Sequence, residues 1–160
     1  MHKKEVFKNL ASKYNIHLYT GLYGYVMRYC HRQLECFKRK EKYDNILEIG
    51  AGIAPHINYI KHKFDKYYIA ETSEVSVKYY ENDKNINAVL YDGAKLPFEN
   101  NFFDRIIISH VLEHVNDPEK FIIQAFGKLR KNLFPPVLLI NSEQSRLFLT
   151  KGNAQASSSS

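Results

Sequence analysis

Cysteine is scarce in this chain, with Cys30 and Cys36 the only two in 160 residues. They stand six apart on a segment of helical periodicity, where they point to different faces, so neither a structural disulfide nor a zinc site is indicated. Sparse cysteine fits a reducing cytoplasm. No apolar run approaches the ~18 residues that a membrane span needs. The opening Met1-His2-Lys3-Lys4-Glu5-Val6-Phe7-Lys8 also lacks the apolar stretch of a signal peptide. The reading is a cytoplasmic protein, neither exported nor inserted in a membrane. Internal repeats are absent, and Ser157–Ser160 is the only low-complexity stretch. A disordered chain is excluded by composition, since 44% hydrophobic and 25% charged residues match the usual soluble domain. The length suits one domain.

Charge is unevenly placed. Residues 1–42 carry ten Lys/Arg against three Asp/Glu, whereas residues 43–160 carry thirteen against fourteen, so the net +6 belongs to the N-terminal part. A basic arm of this kind can meet nucleic acid, an anionic membrane surface or an acidic substrate, but a solvated helix face is the plainer reading, and there is no strong nucleic-acid signal. Phe7, Leu10 and Tyr14 within residues 3–14, and Met27, Cys30, Leu34 and Phe37 within residues 22–40, recur at helical spacing. Both segments read as amphipathic helices, and residues 1–42 as an N-terminal helical cap. The dense tyrosines between Tyr14 and Tyr29 read as packing residues, with a ligand lid as the sharper alternative.

From residue 43 onward short apolar runs alternate with helical segments, the pattern of βαβ units and a parallel sheet. The expected strands are Asn45–Ile49, Tyr67–Glu71, Ala88–Tyr91, Arg105–Ser109 and Val137–Asn141. Ile53, Ile57, Ile60 and Phe64 suggest one helix between the first two strands. A second helix follows Ser73. The clearest start is Asp117-Pro118-Glu119, an N-cap acid with proline at the first helical position, for a helix running to about Lys131 and ending in the cations Lys128, Arg130 and Lys131. The expected domain core is 43–141, and 142–160 reads as a partly disordered tail.

Leu47-Glu48-Ile49-Gly50-Ala51-Gly52-Ile53-Ala54-Pro55 joins the first strand to the first helix of the sheet through a glycine turn, the position of a nucleotide-cofactor loop. Glycine permits the tight turn and close approach of a ligand to backbone. A dinucleotide fingerprint would need its third glycine at Pro55, which argues against an oxidoreductase. Glu71 ends the second strand about twenty residues on, where an acid accepts from ribose hydroxyls. Asp92-Gly93 ends the third, where an acid can accept from an adenine amino group. Each acid taken alone is more often a turn or cap residue. Their joint placement at strand ends favours an adenosyl group without phosphates.

These segments resemble the class I S-adenosylmethionine (SAM)-dependent methyltransferases, specifically the methyltransferase type 11 domain. The resemblance covers roughly residues 45–141 and is carried by Leu47-Glu48-Ile49-Gly50-Ala51-Gly52, Glu71-Thr72-Ser73, Asp92-Gly93-Ala94-Lys95-Leu96-Pro97-Phe98, Phe103-Asp104 and Ser109-His110-Val111-Leu112-Glu113-His114-Val115. Ala54 stands where the family often has another glycine. The resemblance implies a doubly wound, Rossmann-like, mostly parallel α/β sheet with strand order 3-2-1-4-5, C-terminally shortened here. It implies SAM as cofactor, with Glu48, Gly50 and Gly52 around its methionine part, Glu71 on the ribose, and Asp92 with Gly93 at the adenine. It also implies methyl transfer to a small-molecule or lipid-like acceptor, with a non-catalytic or truncated SAM-fold binding module as the alternative.

His110 lies just past the fourth strand, where it could line the transfer site or act as base toward a substrate hydroxyl, or serve as a packing residue of the loop. His110-Val111-Leu112-Glu113-His114 also fits the H-x-x-E-H zinc-peptidase pattern, but it follows a parallel strand and no third ligand is evident. Val137-Leu138-Leu139-Ile140 is apolar on both faces although it would form an outer strand, so the expectation is a truncated form, or an edge covered by self-association or by a fold-back of Arg146–Thr150.

Overall fold

In the computed structural model of the chain, the described residues are 21–35, 42–52, 55–130 and 137–141. They form helix α1 (Gly21–Leu34), strand β1 (Lys42–Ile49), a 3-10 turn (His56–Tyr59), β2 (Lys63–Glu71), α2 (Glu74–Tyr80), β3 (Ile86–Leu90), β4 (Arg105–Ser109), a second 3-10 turn (Leu112–His114), α3 (Pro118–Lys128) and β5 (Val137–Asn141). The five strands make one sheet in the order β3-β2-β1-β4-β5, and every pairing is parallel. This is the expected doubly wound order.

Alternation along the strands builds two cores. Leu47, Ile49, Ala70, Ile106 and Ile108 face α3, which contributes Phe121 and Ala125. Ile46, Tyr67, Ile69 and Ile107 face the opposite way and meet Leu34 of α1 and Tyr80 of α2. Burying each such aliphatic side chain stabilises the fold by about 1.5–3 kcal/mol. With both faces covered, the strands read as nearly continuous apolar runs.

The helix expected from Ile53 to Phe64 does not form. Pro55 is extended, a single 3-10 turn spans His56–Tyr59, and β2 begins at Lys63. The cause is β1, which starts at Lys42 and pairs Lys42 to Asn45 with Lys63 to Lys66. Residues that would have closed the helix are taken by the sheet. α1 ends at Leu34, so the reading to residue 40 holds only in part; its inner face includes Gly24, His31 and Glu35 besides Leu34, while Cys30 is only half-buried. Residues 3–14, Phe37 and the tail 142–160 lie outside the described residues.

α3 starts as expected, with the Asp117 side chain accepting from the Lys120 N–H and Pro118 in the first turn. It stops at Lys128 rather than about Lys131 because Leu129 pairs with Phe103, and the Arg130 N–H donates to the Phe103 carbonyl at 2.9 Å. Gln124 of α3 bonds the backbone of Ala94 and Leu96, and Lys128 bonds the Phe98 carbonyl and Asn100 Oδ1. Helix α3 thereby pins residues 94–100 along the rim of the sheet.

Candidate functional site

The chain runs outward through β1, β2 and β3, then returns to place β4 against the other side of β1. Such a reversal opens a crevice beyond the carboxyl ends of the two central strands. A cavity of about 920 Å³ occupies it, near the upper end of ordinary ligand pockets. Its walls come from the ends of β1, β2, β3 and β4 and from the first turns of α3. Gly50, Gly52, Glu71, Asp92, Gly93 and His110, six of the seven candidate site residues, line it together, and Glu48 does not.

Gly50 and Gly52 stand at φ 69° and 57°, a region that side-chain-bearing residues rarely adopt. At Gly50 there is no room either, because a Cβ would lie 2.5 Å from Val111 Cγ2. Three hydrogen bonds hold the turn. The Gly50 N–H donates to the Ala70 carbonyl (2.9 Å), the Gly52 N–H to Glu71 Oε1 (2.5 Å), and the Tyr80 hydroxyl to the Gly52 carbonyl (2.8 Å).

Glu71 is buried at the cavity wall, and desolvation holds its carboxyl above the ordinary value despite N–H bonds from Gly52 and Thr72. Asp92 is exposed; its Oδ1 accepts the N–H groups of Lys95 and Ala94 at 2.9 Å each, which keeps its pKa low and closes an Asx-type turn. Gly93 follows at φ 80°. Beside them Tyr91, pushed up to about 12 by burial and by the charges of Glu71 and Asp92, stays a phenol that can donate.

Glu48 lies behind the loop. Both its oxygens accept the His56 N–H (3.0 and 2.8 Å) and Oε2 accepts the Tyr67 hydroxyl (2.7 Å). Complete burial pushes its pKa up to about 8, against the pull of those donors, so it is a neutral acid at pH 7. The carboxyl is thus spent on seating His56, the residue that opens the 3-10 turn.

His110 follows β4 directly, with φ 56°. This sparsely populated conformation costs about 1–3 kcal/mol and recurs where function holds a residue in place. Its Nδ1 is 3.7 Å from Glu113 Oε1, and its buried Nε2 has no hydrogen-bond partner among the described residues. Among the described residues, no group of three or more His, Cys, Asp or Glu side chains is placed to hold a metal ion, His110, Glu113 and His114 included. None of the described helices is long and apolar enough to cross a membrane.

Tyr91, Val111, Phe121 and Gln124 are among the wall residues that the sequence does not single out as part of a site. Tyr91 and Val111 adjoin Asp92 and His110, so a wider window at the strand ends would have found them. Phe121 and Gln124 sit one and two turns into α3, and only the helix position relative to the sheet brings them in.

The sequence pattern of the methyltransferase domain family matches residues 47–132. No curated protein matches the chain. Among solved structures, phosphoethanolamine N-methyltransferase 1 of Haemonchus contortus, in complex with phosphoethanolamine and S-adenosylhomocysteine, is similar at TM-score 0.60 and 16% identity over 80% of this chain and 30% of that one. A chain of the complex between the Haloferax volcanii Trm112 methyltransferase activator and a methyltransferase is similar at TM-score 0.58 and 16% identity, over 67% of this chain and 50% of that one. A SAM-dependent methyltransferase of Thermotoga maritima gives TM-score 0.55 and 20% identity, over 81% of this chain and 58% of that one. At these identities the likeness is one of fold, and the chain spans about half the length of the Haloferax match.

Proposed function

We propose, from the premise that this chain belongs to the methyltransferase domain family, that it binds SAM over the glycine turn and transfers its methyl group to a small-molecule or lipid-like acceptor. The observation that carries this reading is the meeting of Gly50, Gly52, Glu71, Asp92, Gly93 and His110 around one cavity at the switch point of the sheet.

The residues present suit an adenosyl ligand. Glu71 offers a buried acceptor for ribose hydroxyls, and Asp92 with the Gly93 backbone lies at the end of β3 for the adenine. Gly50 and Gly52 present bare backbone where a side chain would fill the space. Tyr91 adds a donor and Phe121 an apolar surface. In this reading Glu48 acts from behind, as the neutral acid that seats the turn.

SAM, when bound, supplies an activated sulfonium methyl group. The protein then has to orient an acceptor in line and exclude water, which is where most of the rate comes from in such a displacement. His110 reaches the cavity from the end of β4 and takes the proton of an acceptor O–H or N–H. Glu113 at 3.7 Å is placed to orient its ring.

Isothermal titration of the full chain with SAM, S-adenosylhomocysteine and NADH tests the cofactor. Micromolar binding of the first two and none of NADH is expected. Glu71→Ala should weaken both by about 10- to 150-fold, the equivalent of 1.5–3 kcal/mol for a charged acceptor. Unchanged affinity in that variant removes Glu71 from the site. SAM turnover against a mixed acceptor panel, with His110→Asn as control, tests transfer, and binding without turnover would reduce the reading to a cofactor-binding module.

A further inference from the structure

The outer face of α1 is apolar. Leu22, Tyr25, Val26 and Tyr29 are 82%, 58%, 47% and 52% exposed. At about 100° per residue their spacing gathers them within an arc of about 100° on one side of the helix. Gly24, His31, Leu34 and Glu35, buried residues of the same segment, lie on the other side. A helix that only covers a sheet turns polar residues outward. Here the outer stripe stays apolar for two turns, until exposed Gln33 ends it.

The surroundings of the stripe are basic. α1 contains no Asp or Glu, and exposed Arg28 and Arg32 stand along one flank of the stripe. Lys38, Arg39 and Lys40 follow Leu34 by four to six positions, so the chain can carry them no farther than about 14–22 Å from the end of the helix. Of the three acids in residues 1–42, Glu35 is turned inward against Arg105.

Area and charge together select the occupant. At these exposures four such side chains offer roughly 500 Å², less than the ~800 Å² per partner of a stable protein interface. A second copy of the chain would also bring the same positive charge to the contact. Nucleic acid matches the charge but leaves Leu22 and Val26 without a role. An anionic bilayer surface matches both features. Apolar side chains enter the boundary between headgroups and acyl chains, tyrosines settle at that depth with their hydroxyls toward water, and arginines reach the phosphates. With 14 residues, about 21 Å, α1 can lie in such a surface and is too short to cross it.

We propose that the outer face of α1 docks on an anionic membrane surface, with Leu22, Tyr25, Val26 and Tyr29 buried in it and the basic residues around them on the headgroups. The docking is independent of the methyl-transfer reading, because it concerns the helix that covers the sheet and not the cavity.

Co-sedimentation of the full chain with vesicles tests it, using phosphatidylcholine alone and phosphatidylcholine with one-third phosphatidylserine. Binding to the anionic vesicles should be at least about 10-fold tighter than to the neutral ones. Raising salt from about 0.1 to 1 M should weaken it, as the screening length falls from about 10 to 3 Å. The double variant Leu22→Gln/Val26→Gln should bind at least about 10-fold more weakly, whereas Ile123→Gln, at a 65% exposed residue of α3, should leave binding unchanged. The chain has no tryptophan, so Leu22→Trp gives a lone reporter whose emission should shift to the blue on anionic vesicles, with Ile123→Trp unshifted. Should the double variant not fold, this reporter decides alone. Unchanged binding in a folded double variant, an unshifted Leu22→Trp emission, or no binding of the unmutated chain to anionic vesicles overturns the proposal. In the last case, self-association that the double variant abolishes in light scattering would assign the face to a second copy, and oligonucleotide binding that the double variant keeps would assign the charge to nucleic acid.

Discussion

Alanine at Gly50 imposes two separate strains on the turn. The backbone there stands at φ 69°, a conformation that costs an L-residue about 1–2 kcal/mol. The new Cβ would also lie 2.5 Å from Val111 Cγ2, and relieving such an overlap costs about 1–3 kcal/mol. Gly50→Ala should therefore lose about 2–5 kcal/mol of stability. Val111→Ala removes the offending methyl and leaves the Val111 Cβ at 3.8 Å, an ordinary contact; alone it should cost about 1–2 kcal/mol for two methyls. In the double variant the steric part is absent while the backbone part stays. Urea unfolding of the four proteins should thus give a favourable coupling of about 1–3 kcal/mol, far from additivity. SAM affinity, titrated in parallel, should fall in Gly50→Ala and recover in part in the double variant. Additivity within about 0.5 kcal/mol would refute the contact between the turn and the segment after β4.

Three further outcomes are expected. Glu48 holds a proton in the folded state up to about pH 8 that the unfolded chain releases above its ordinary 4.5, so its contribution is full at low pH and is lost as pH rises between those values; Glu48→Gln should flatten that decline, and parallel slopes in urea unfolding of the two proteins would refute it. Glu35→Ala removes the carboxylate that faces the buried Arg105 and should cost about 3–5 kcal/mol, with Glu35→Gln milder because it keeps an acceptor oxygen; equal small losses in thermal unfolding would show that Arg105 does not lean on Glu35. β5 pairs only with β4 among the described residues, and its Val-Leu-Leu-Ile run should drive concentration-dependent association in light scattering, an expectation that a strictly monomeric chain with the strand protected from hydrogen exchange would sink.

The sheet was legible because its determinants are local. Five apolar runs separated by glycine, proline and polar turns lead to five parallel strands, and Asp117-Pro118 marks a helix start that depends on no distant residue. The candidate cavity residues were legible for a related reason, since ligands of such sheets gather at strand ends and strand ends could be read. The helix from Ile53 to Phe64 failed at the point where periodicity competes with pairing. Its apolar spacing suits a helix, but a parallel strand gains a ladder along Lys42–Asn45 when Lys63–Lys66 extend, and nothing within residues 53–64 records the length of β1.

The buried histidines were illegible for a deeper reason. Read along the chain, His31 and Glu35 are polar residues one turn apart on an amphipathic helix, and His56 follows a proline in a loop; each is an ordinary surface residue by type. One residue could have betrayed them. Arg105 opens the Arg105-Ile106-Ile107-Ile108 run, and alternation places it on the same face as Ile107, inside a core. An arginine there must meet an acid from another element, and the acid has to arrive from the helix covering that face. Glu35 is that acid, so the charge that lets β4 begin with arginine is supplied by α1. The requirement then passes on: the Glu35 oxygen that accepts from Arg105 is also 2.8 Å from His56 Nε2, and His56 Nδ1 is 2.9 Å from His31 Nδ1. β4 begins at Arg105 and its next connection opens with His110, so one strand has the buried charge at one end and the candidate base just beyond the other. Glu35, the residue that follows α1, meets the first of these, so the α1 segment supplies the partner of a charge buried in the sheet and is not only a cover for it.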